Sequence, residues 1–224
     1  MRKLYLKAAT LVGAACTAAL GFGAVPAGAA VAHSVVTPQC SAVTGAQCIS
    51  AFTQLYGPGN VINGANSGKV TLRIKSNGFT NEDLVLNWHG TVRQAERDGL
   101  IAKGSYAYVN YRNFQAGEFA FAPDGNNSHL CIGVASPSVA GEKVTKQPCG
   151  GSSKTLWVFD RNHGTGFCLA GPPTSCPVIN GSDQNFSTPQ ALTALSPGGQ
   201  LQVRPENLQG SVATDNQQWS FTLS

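Results

Sequence analysis

Four landmarks recur along this chain in one order and at nearly one offset. Cys40 and Cys48 stand eight residues apart, as do Cys168 and Cys176, and the step between these pairs is 128 residues. Val70-Thr71-Leu72-Arg73 is followed, 15 positions after its arginine, by Trp88; Leu201-Gln202-Val203-Arg204 is followed, 15 positions after its arginine, by Trp219; both steps are 131 residues. The stretch between holds a third cysteine pair, Cys131 and Cys149, and the third tryptophan, Trp157. Self-similarity at a fixed step marks units that cannot bury an apolar side alone and so pack on one another. The pattern reads as three copies ending near Trp88, Trp157 and Trp219, with an insertion over residues 91–128 between the first and second.

Short apolar runs broken by Gly, Pro, Asn and Ser make up each copy, and such runs at close spacing predict strands. The runs are Lys69–Lys75, Leu84–Trp88, Ser105–Tyr111, Glu118–Phe121, His129–Val134, Lys143–Gln147, Leu156–Phe159, Phe167–Ala170, Ala191–Leu195, Leu201–Arg204 and Trp219–Leu223. No convincing amphipathic helix stands out; Thr91–Ala102 suits one or two turns. Charged residues make up 12% of the chain, about half the usual share, which excludes a coiled coil or a charged disordered tail. Three helix-poor β units predict an all-β chain, a β-trefoil with three pseudo-repeats formed by residues 33–224. One tryptophan per unit is then expected as a core plug, its N–H matched to a single acceptor.

Arg2, Lys3 and Lys7 precede an apolar run from Ala8 to Val25 and then Pro26-Ala27-Gly28-Ala29-Ala30, the plan of a secretory signal peptide over residues 1–32. Removing it takes three of 15 basic residues and leaves 12 against 11 acidic ones, a net charge of +1. No bulk charge then favours nucleic acid or an anionic membrane. Six cysteines remain, an even number in an exported chain, and their spacing favours three local disulfides: Cys40–Cys48, Cys131–Cys149 and Cys168–Cys176. No C-x-x-C pair or histidine cluster beside a cysteine pair suggests a metal, and no cofactor motif is present, so none is expected.

The stretch His129-Leu130-Cys131-Ile132-Gly133-Val134, then Lys143 to Pro148-Cys149, then Thr155-Leu156-Trp157 resembles one repeat of the ricin B-chain-like lectins. Phe167-Cys168-Leu169-Ala170 resembles the opening of the next repeat, and Gln217-Gln218-Trp219 is an intact Gln-x-Trp motif. The resemblance implies a β-trefoil and extracellular carbohydrate binding. In such lectins an aspartate two residues after the first cysteine, an aromatic ring and an asparagine before Gln-x-Trp grip the sugar. Here the aspartate positions hold Ala42, Gly133 and Ala170, and the aromatic positions hold Arg73, Gln147 and Arg204; Asn216 before Gln217 survives. The resemblance therefore implies a binding set of Arg73, Arg204, Asn216 and Gln217, without the family's usual galactose mode.

Arg73 and Arg204, at matching positions, suit either an anionic glycan gripped by the guanidinium fork or two outward strand-edge positions. The Tyr106-Tyr108 alternation suits either a sugar platform or a strand over the barrel. No G-x-S-x-G, H-E-x-x-H or Walker loop occurs. Asp160 and His163 lie close, but in a Gly-rich turn with no marked nucleophile, so His163 reads as solvated and the chain as no enzyme. Glu82-Asp83 would serve a glycosidase only with an opposing carboxylate. Two functions stand open: a secreted carbohydrate-binding module with an extracellular glycan as partner, or a protein-interaction or inhibitor-like trefoil working through loops on another extracellular protein.

Overall fold

The computed structural model describes residues 48–65, 68–75, 82–121, 129–150, 152–166, 168–183 and 188–223. The candidate leader, Cys40 and Ala42 lie outside them. The first strands are β1 (Ile49–Thr53), β2 (Asn60–Asn63), β3 (Thr71–Ile74) and β4 (Leu84–Thr91). Two short helices follow, α1 (Val92–Arg97) and α2 (Tyr106–Tyr111). Next come β5 (Gln115–Phe121), β6 (Leu130–Val134), β7 (Val144–Pro148) and β8 (Trp157–Phe159). Last are β9 (Val178–Asn180), β10 (Gln190–Thr193), β11 (Gln202–Pro205), a small ladder of β12 (Leu208–Gln209) and β13 (Val212–Ala213), and β14 (Trp219–Leu223). The described residues form an all-β fold in which the named strands pair antiparallel and few residues are helical.

Pairings run β14–β1–β4–β5–β8–β9. The bridge between Cys176, just ahead of β9, and Trp219 in β14 completes a circuit. Three hairpins stand off it, β2–β3, β6–β7 and β10–β11. Their backbones meet in a closed triangle: Val70 N–H donates to Val144 C=O (3.3 Å), Val144 N–H to Leu201 C=O (2.9 Å), and Leu201 N–H to Val70 C=O (2.9 Å). All three side chains are fully buried. The hairpin registers count out alike from this triangle, so Arg73, Gln147 and Arg204 occupy the same place in their hairpins, opposite Val61, Cys131 and Ala191.

Strand alternation sorts the apolar residues onto two faces. Trp157, Phe159, Val178 and Leu192 enter a central core with Leu72, Phe119, Phe121, Val144, Trp219 and Phe221. The intervening Val158, Ile179 and Ala191 face outward into a second cluster, where α1 and α2 cover them with Val92, Ala95, Tyr106, Ala107 and Tyr111. Local chemistry builds the helices. Thr91 and Gln94 form a capping box at α1, the Thr91 Oγ1 accepting from Gln94 N–H and the Gln94 Oε1 accepting from Thr91 N–H. Ser105 caps α2 by accepting from Tyr108 N–H.

Several expectations are corrected. Ser105–Tyr111 is not a strand but a capped helix: Tyr106 is buried with Ala107 and Tyr111, and Tyr108 is half-buried against the same cluster, so the Tyr106–Tyr108 pair packs over the outer sheet face and forms no open sugar platform. Of the expected strand Phe167–Ala170, the described part, Cys168–Ala170, is a 3₁₀ turn. Within residues 91–128, β5 belongs to the strand circuit, pairing β4 and β8, so the added helical segment ends before Gln115. Disulfides join Cys131 to Cys149 and Cys168 to Cys176, with S–S distances of 2.07 and 2.05 Å, and Cys48 is disulfide-bonded. Among the described residues no helix is long and apolar enough to cross a membrane.

The tryptophans do not share one role. Trp157 and Trp219 are fully buried, and their indole N–H groups donate to Ile132 C=O (2.9 Å) and Leu192 C=O (2.8 Å). Trp88 is 48% exposed. Trp157 and Trp219 each open their strands, and the residue that opens β4 is Leu84, also fully buried. Leu84, Leu86 and Trp88 lie on one face of a long strand, which carries Trp88 out to the rim, beside a break in register between Trp88 and Thr91.

Candidate functional site

Arg204 lies on the outward face of β11, because Leu201 and Val203 turn inward to the core. Its Nε and Nη2 both donate to Gln202 Oε1 at 3.2 Å. One acceptor thus holds one edge of the planar fork, and the opposite edge carries further N–H donors. Asn216 and Gln217 reach the same place from the turn before β14. With Thr193, Asn207 and Thr214, these residues line a cleft of about 250 Å³. Gln217 is buried and spends its amide on the frame: Oε1 accepts from Asn207 N–H (2.8 Å), and Nε2 donates to Thr193 Oγ1 (2.9 Å) and Pro205 C=O (3.0 Å). Gln217 therefore positions the cleft. Asn216 Oδ1 accepts from Thr214 Oγ1 (2.9 Å), leaving its NH₂ as a donor for ligand oxygens.

Three of the four residues singled out in the sequence thus come together, Arg204, Asn216 and Gln217. Arg73 does not join them; it is exposed on the first hairpin. The second hairpin has no room for an aspartate at position 133. A Cβ at Gly133 would lie 2.9 Å from Thr155 Cγ2 and 3.0 Å from the Lys154 carbonyl oxygen. Its Gln147 donates to Thr145 Oγ1 (2.7 Å).

Two other places carry shape. A groove of about 350 Å³ is lined by Trp88, His89, Gly90, Gln94, Arg97 and Asp98, with the Trp88 ring resting on Phe159 at 5.4 Å between centroids. A larger cleft of about 500 Å³ runs between Ile101–Tyr106 and the loops carrying Pro137, Lys154 and Asp183. Its polar groups hold the fold: Ser182 Oγ accepts from Ser138 N–H, Lys154 Nζ donates to Ala135 C=O, and Asp183 Oδ2 accepts from Gln190 N–H. Glu82 and Asp83 are both buried, and Glu82 accepts from Asn63 Nδ2 (3.2 Å).

Buried carboxylates occur at two further points. Glu118 on β5 is fully buried and lies 3.2 Å from His89 Nε2. It also accepts from Thr155 Oγ1 and from Gly150 N–H. Burial alone would raise its pKa; the hydrogen bonds from His89, Thr155 and Gly150 outweigh that and hold it below the usual carboxylate range. At the second point, His163 Nδ1 lies 3.1 Å from Asp160 Oδ2 and 3.0 Å from Glu206 Oε2. Both carboxylates are buried, and burial, reinforced by the Asp160 charge, pushes Glu206 up to about 7 against the opposing pull of His163. His163 is therefore no simple solvated turn residue. Among the described residues these three side chains also form a group of donors able to hold a metal ion. Only the Asp160–His163 half was visible in the sequence, since Glu206 arrives from the end of β11.

No protein-family model matches the sequence, and no curated protein matches it. Twenty-two chains of solved structures do match. One is a mosquitocidal holotoxin, whose structure and mode of action have been described, at 12% identity and a TM-score of 0.49. The match covers 78% of this chain and 16% of the holotoxin chain, so this chain spans about a sixth of the holotoxin's length.

Proposed function

We propose that this chain is an exported β-trefoil carbohydrate-binding module of the ricin B-chain-like kind that acts by binding, without catalysis. Its site is the cleft of the third unit, and its ligand is an acidic glycan. The observation that carries this reading is the convergence of Arg204, Asn216 and Gln217, from two separate stretches of chain, on one cleft. Two features support the trefoil: the closed triangle of Val70, Val144 and Leu201, and the alike anchoring of Trp157 and Trp219. Disulfides support export, because they persist in oxidising compartments.

The chemistry of the cleft sets the ligand class. Arg204 stands where the lectins carry an aromatic ring, so a stacking platform is exchanged for a cation with paired donors. Such a fork matches a carboxylate or sulfate oxygen pair, and the Asn216 amide adds a donor for a neighbouring hydroxyl. The first and second units keep less of the set, so one principal site per chain is the expectation.

An array of neutral, uronic, sialylated and sulfated glycans, probed with the mature protein, tests the reading. Acidic glycans are expected to bind. Arg204→Glu is expected to weaken that binding by at least about tenfold, the loss of one charge-assisted hydrogen bond of about 1.5–3 kcal/mol. Arg73→Glu, which changes charge equally outside the cleft, leaves it near wild type. Silence across the array, or equal losses from Arg204→Glu and Arg73→Glu, refutes the assignment.

A further inference from the structure

We propose that Asp160, His163 and Glu206 form a binding site for a first-row divalent transition metal, of the Zn²⁺ or Mn²⁺ kind. This inference is independent of the glycan cleft. Asp160 is fully buried and Glu206 is 8% exposed, so neither carboxylate is bathed by water. Asp160 Oδ2, His163 Nδ1 and Glu206 Oε1 have no aligned hydrogen-bond partner. One imidazole nitrogen stands about 3 Å from both carboxylates and is aligned with neither. A single N–H serves one acceptor at best, so a shared proton leaves one buried carboxylate uncompensated. A cation held by Asp160 Oδ2, His163 Nδ1 and Glu206 Oε2 compensates both buried carboxylates at once.

The distances fit that occupant. Ligand atoms about 2.0–2.2 Å from a metal are separated by about 2.8–3.1 Å along octahedral edges and about 3.3–3.6 Å along tetrahedral ones, so the octahedral geometry is the one that fits. The observed edges are 3.1 and 3.0 Å, and all three donor atoms lie within 4.8 Å of one another. One imidazole with two carboxylates is a borderline donor set. It suits zinc or manganese better than calcium, which prefers six to eight oxygens. Three protein ligands leave at least one position for water or an external ligand, and the His163 side chain, 33% exposed, gives access.

Each donor sits on fixed backbone, as a preformed site requires. Asp160 N–H donates to Pro177 C=O (2.9 Å), and its Oδ1 accepts from Asn162 N–H (2.9 Å), orienting the carboxylate. The His163 carbonyl is held by Ala213 N–H (3.0 Å) and Gln218 Nε2 (2.6 Å). Glu206 N–H donates to Pro189 C=O (2.8 Å). Gly164, next to the ligand histidine, packs so closely on the Ser175 carbonyl and Cys176 that a side chain would not fit.

The test uses the full mature protein, stripped with chelator and titrated separately with Zn²⁺, Mn²⁺ and Ca²⁺ by calorimetry, with Co²⁺ as a visible-absorption probe. The expected result is about one equivalent of Zn²⁺ or Mn²⁺, bound more tightly than Ca²⁺, with a Co²⁺ ligand-field band. His163→Ala and Glu206→Gln, each checked for native far-UV circular dichroism, are expected to weaken binding by at least about a hundredfold. Because Asp160 is wholly buried, the partly exposed His163 is the primary variant. No uptake by the wild type overturns the proposal and assigns the cluster to a shared proton. Uptake that survives both substitutions also overturns it, locating the metal on surface carboxylates.

Discussion

Replacing each tryptophan by phenylalanine separates the two buried indoles from the exposed one. In Trp157→Phe the lost pyrrole edge leaves about 40 Å³ unfilled, which at ~24 cal/mol per Å³ is about 1 kcal/mol. The substitution also removes the donor to Ile132 C=O, 2.9 Å away in a dry core. An orphaned buried acceptor adds about 1–2 kcal/mol, for a total loss of about 2–3 kcal/mol. Trp219→Phe, which strands Leu192 C=O, is expected to cost the same. Trp88→Phe keeps a ring over Phe159 on a half-exposed surface and is expected to change stability by no more than about 0.5 kcal/mol. Urea unfolding with an m-value of about 2–3 kcal/mol/M converts these into midpoint shifts of about 1 M for the first two and about 0.2 M for the third. Equal shifts for all three, or a larger shift for Trp88→Phe, would refute the assignment of Leu84 to the third core position.

Two more outcomes follow from the buried chemistry. Glu118 has its pKa depressed in the folded state, so its stabilising effect is complete above the unfolded carboxylate pKa and is lost as pH falls through the lower folded value. Thermal melts between about pH 7 and pH 2 should therefore show an acid limb that is shallower in Glu118→Gln, which is also less stable at neutral pH by about 3 kcal/mol; an unchanged acid limb contradicts the linkage. Replacing Cys131 and Cys149 together by serine opens a loop of 18 residues, with an expected loss of about 3 kcal/mol read as a lower urea midpoint, while the Cys168–Cys176 bridge remains resistant to alkylation.

What the sequence discloses is what short spacing controls. Cysteines 18 and eight residues apart pair as their separations suggest. The Val-Thr-Leu-Arg and Leu-Gln-Val-Arg stretches mark equivalent hairpins, because alternation fixes which residues turn inward. The same period of two misleads at Trp88. Leu84, Leu86 and Trp88 all point one way, and sequence cannot say which of them lies over the centre and which at the rim. Tyr106 to Tyr111 is too short to reveal a helical period, and what makes it helical is the Ser105 cap and the outer sheet face it covers. Glu206 gives no local signal at all. It meets His163 because two strand exits, 43 positions apart along the chain, converge in space.

The pairing of β1 with β14 has a consequence for how the molecule is made. Ile49–Thr53 zips along its length to Trp219–Leu223, so β1 cannot complete its pairing until β14, about 170 residues later in the chain, has been synthesised. Until then, one flank of β1 and the segment around Cys176 offer unsatisfied backbone groups. A chain without β14 in place would leave two borders unpaired, the kind of edge that other strands can add to. Contacts spanning nearly the whole sequence also make the final step slow relative to local hairpin formation.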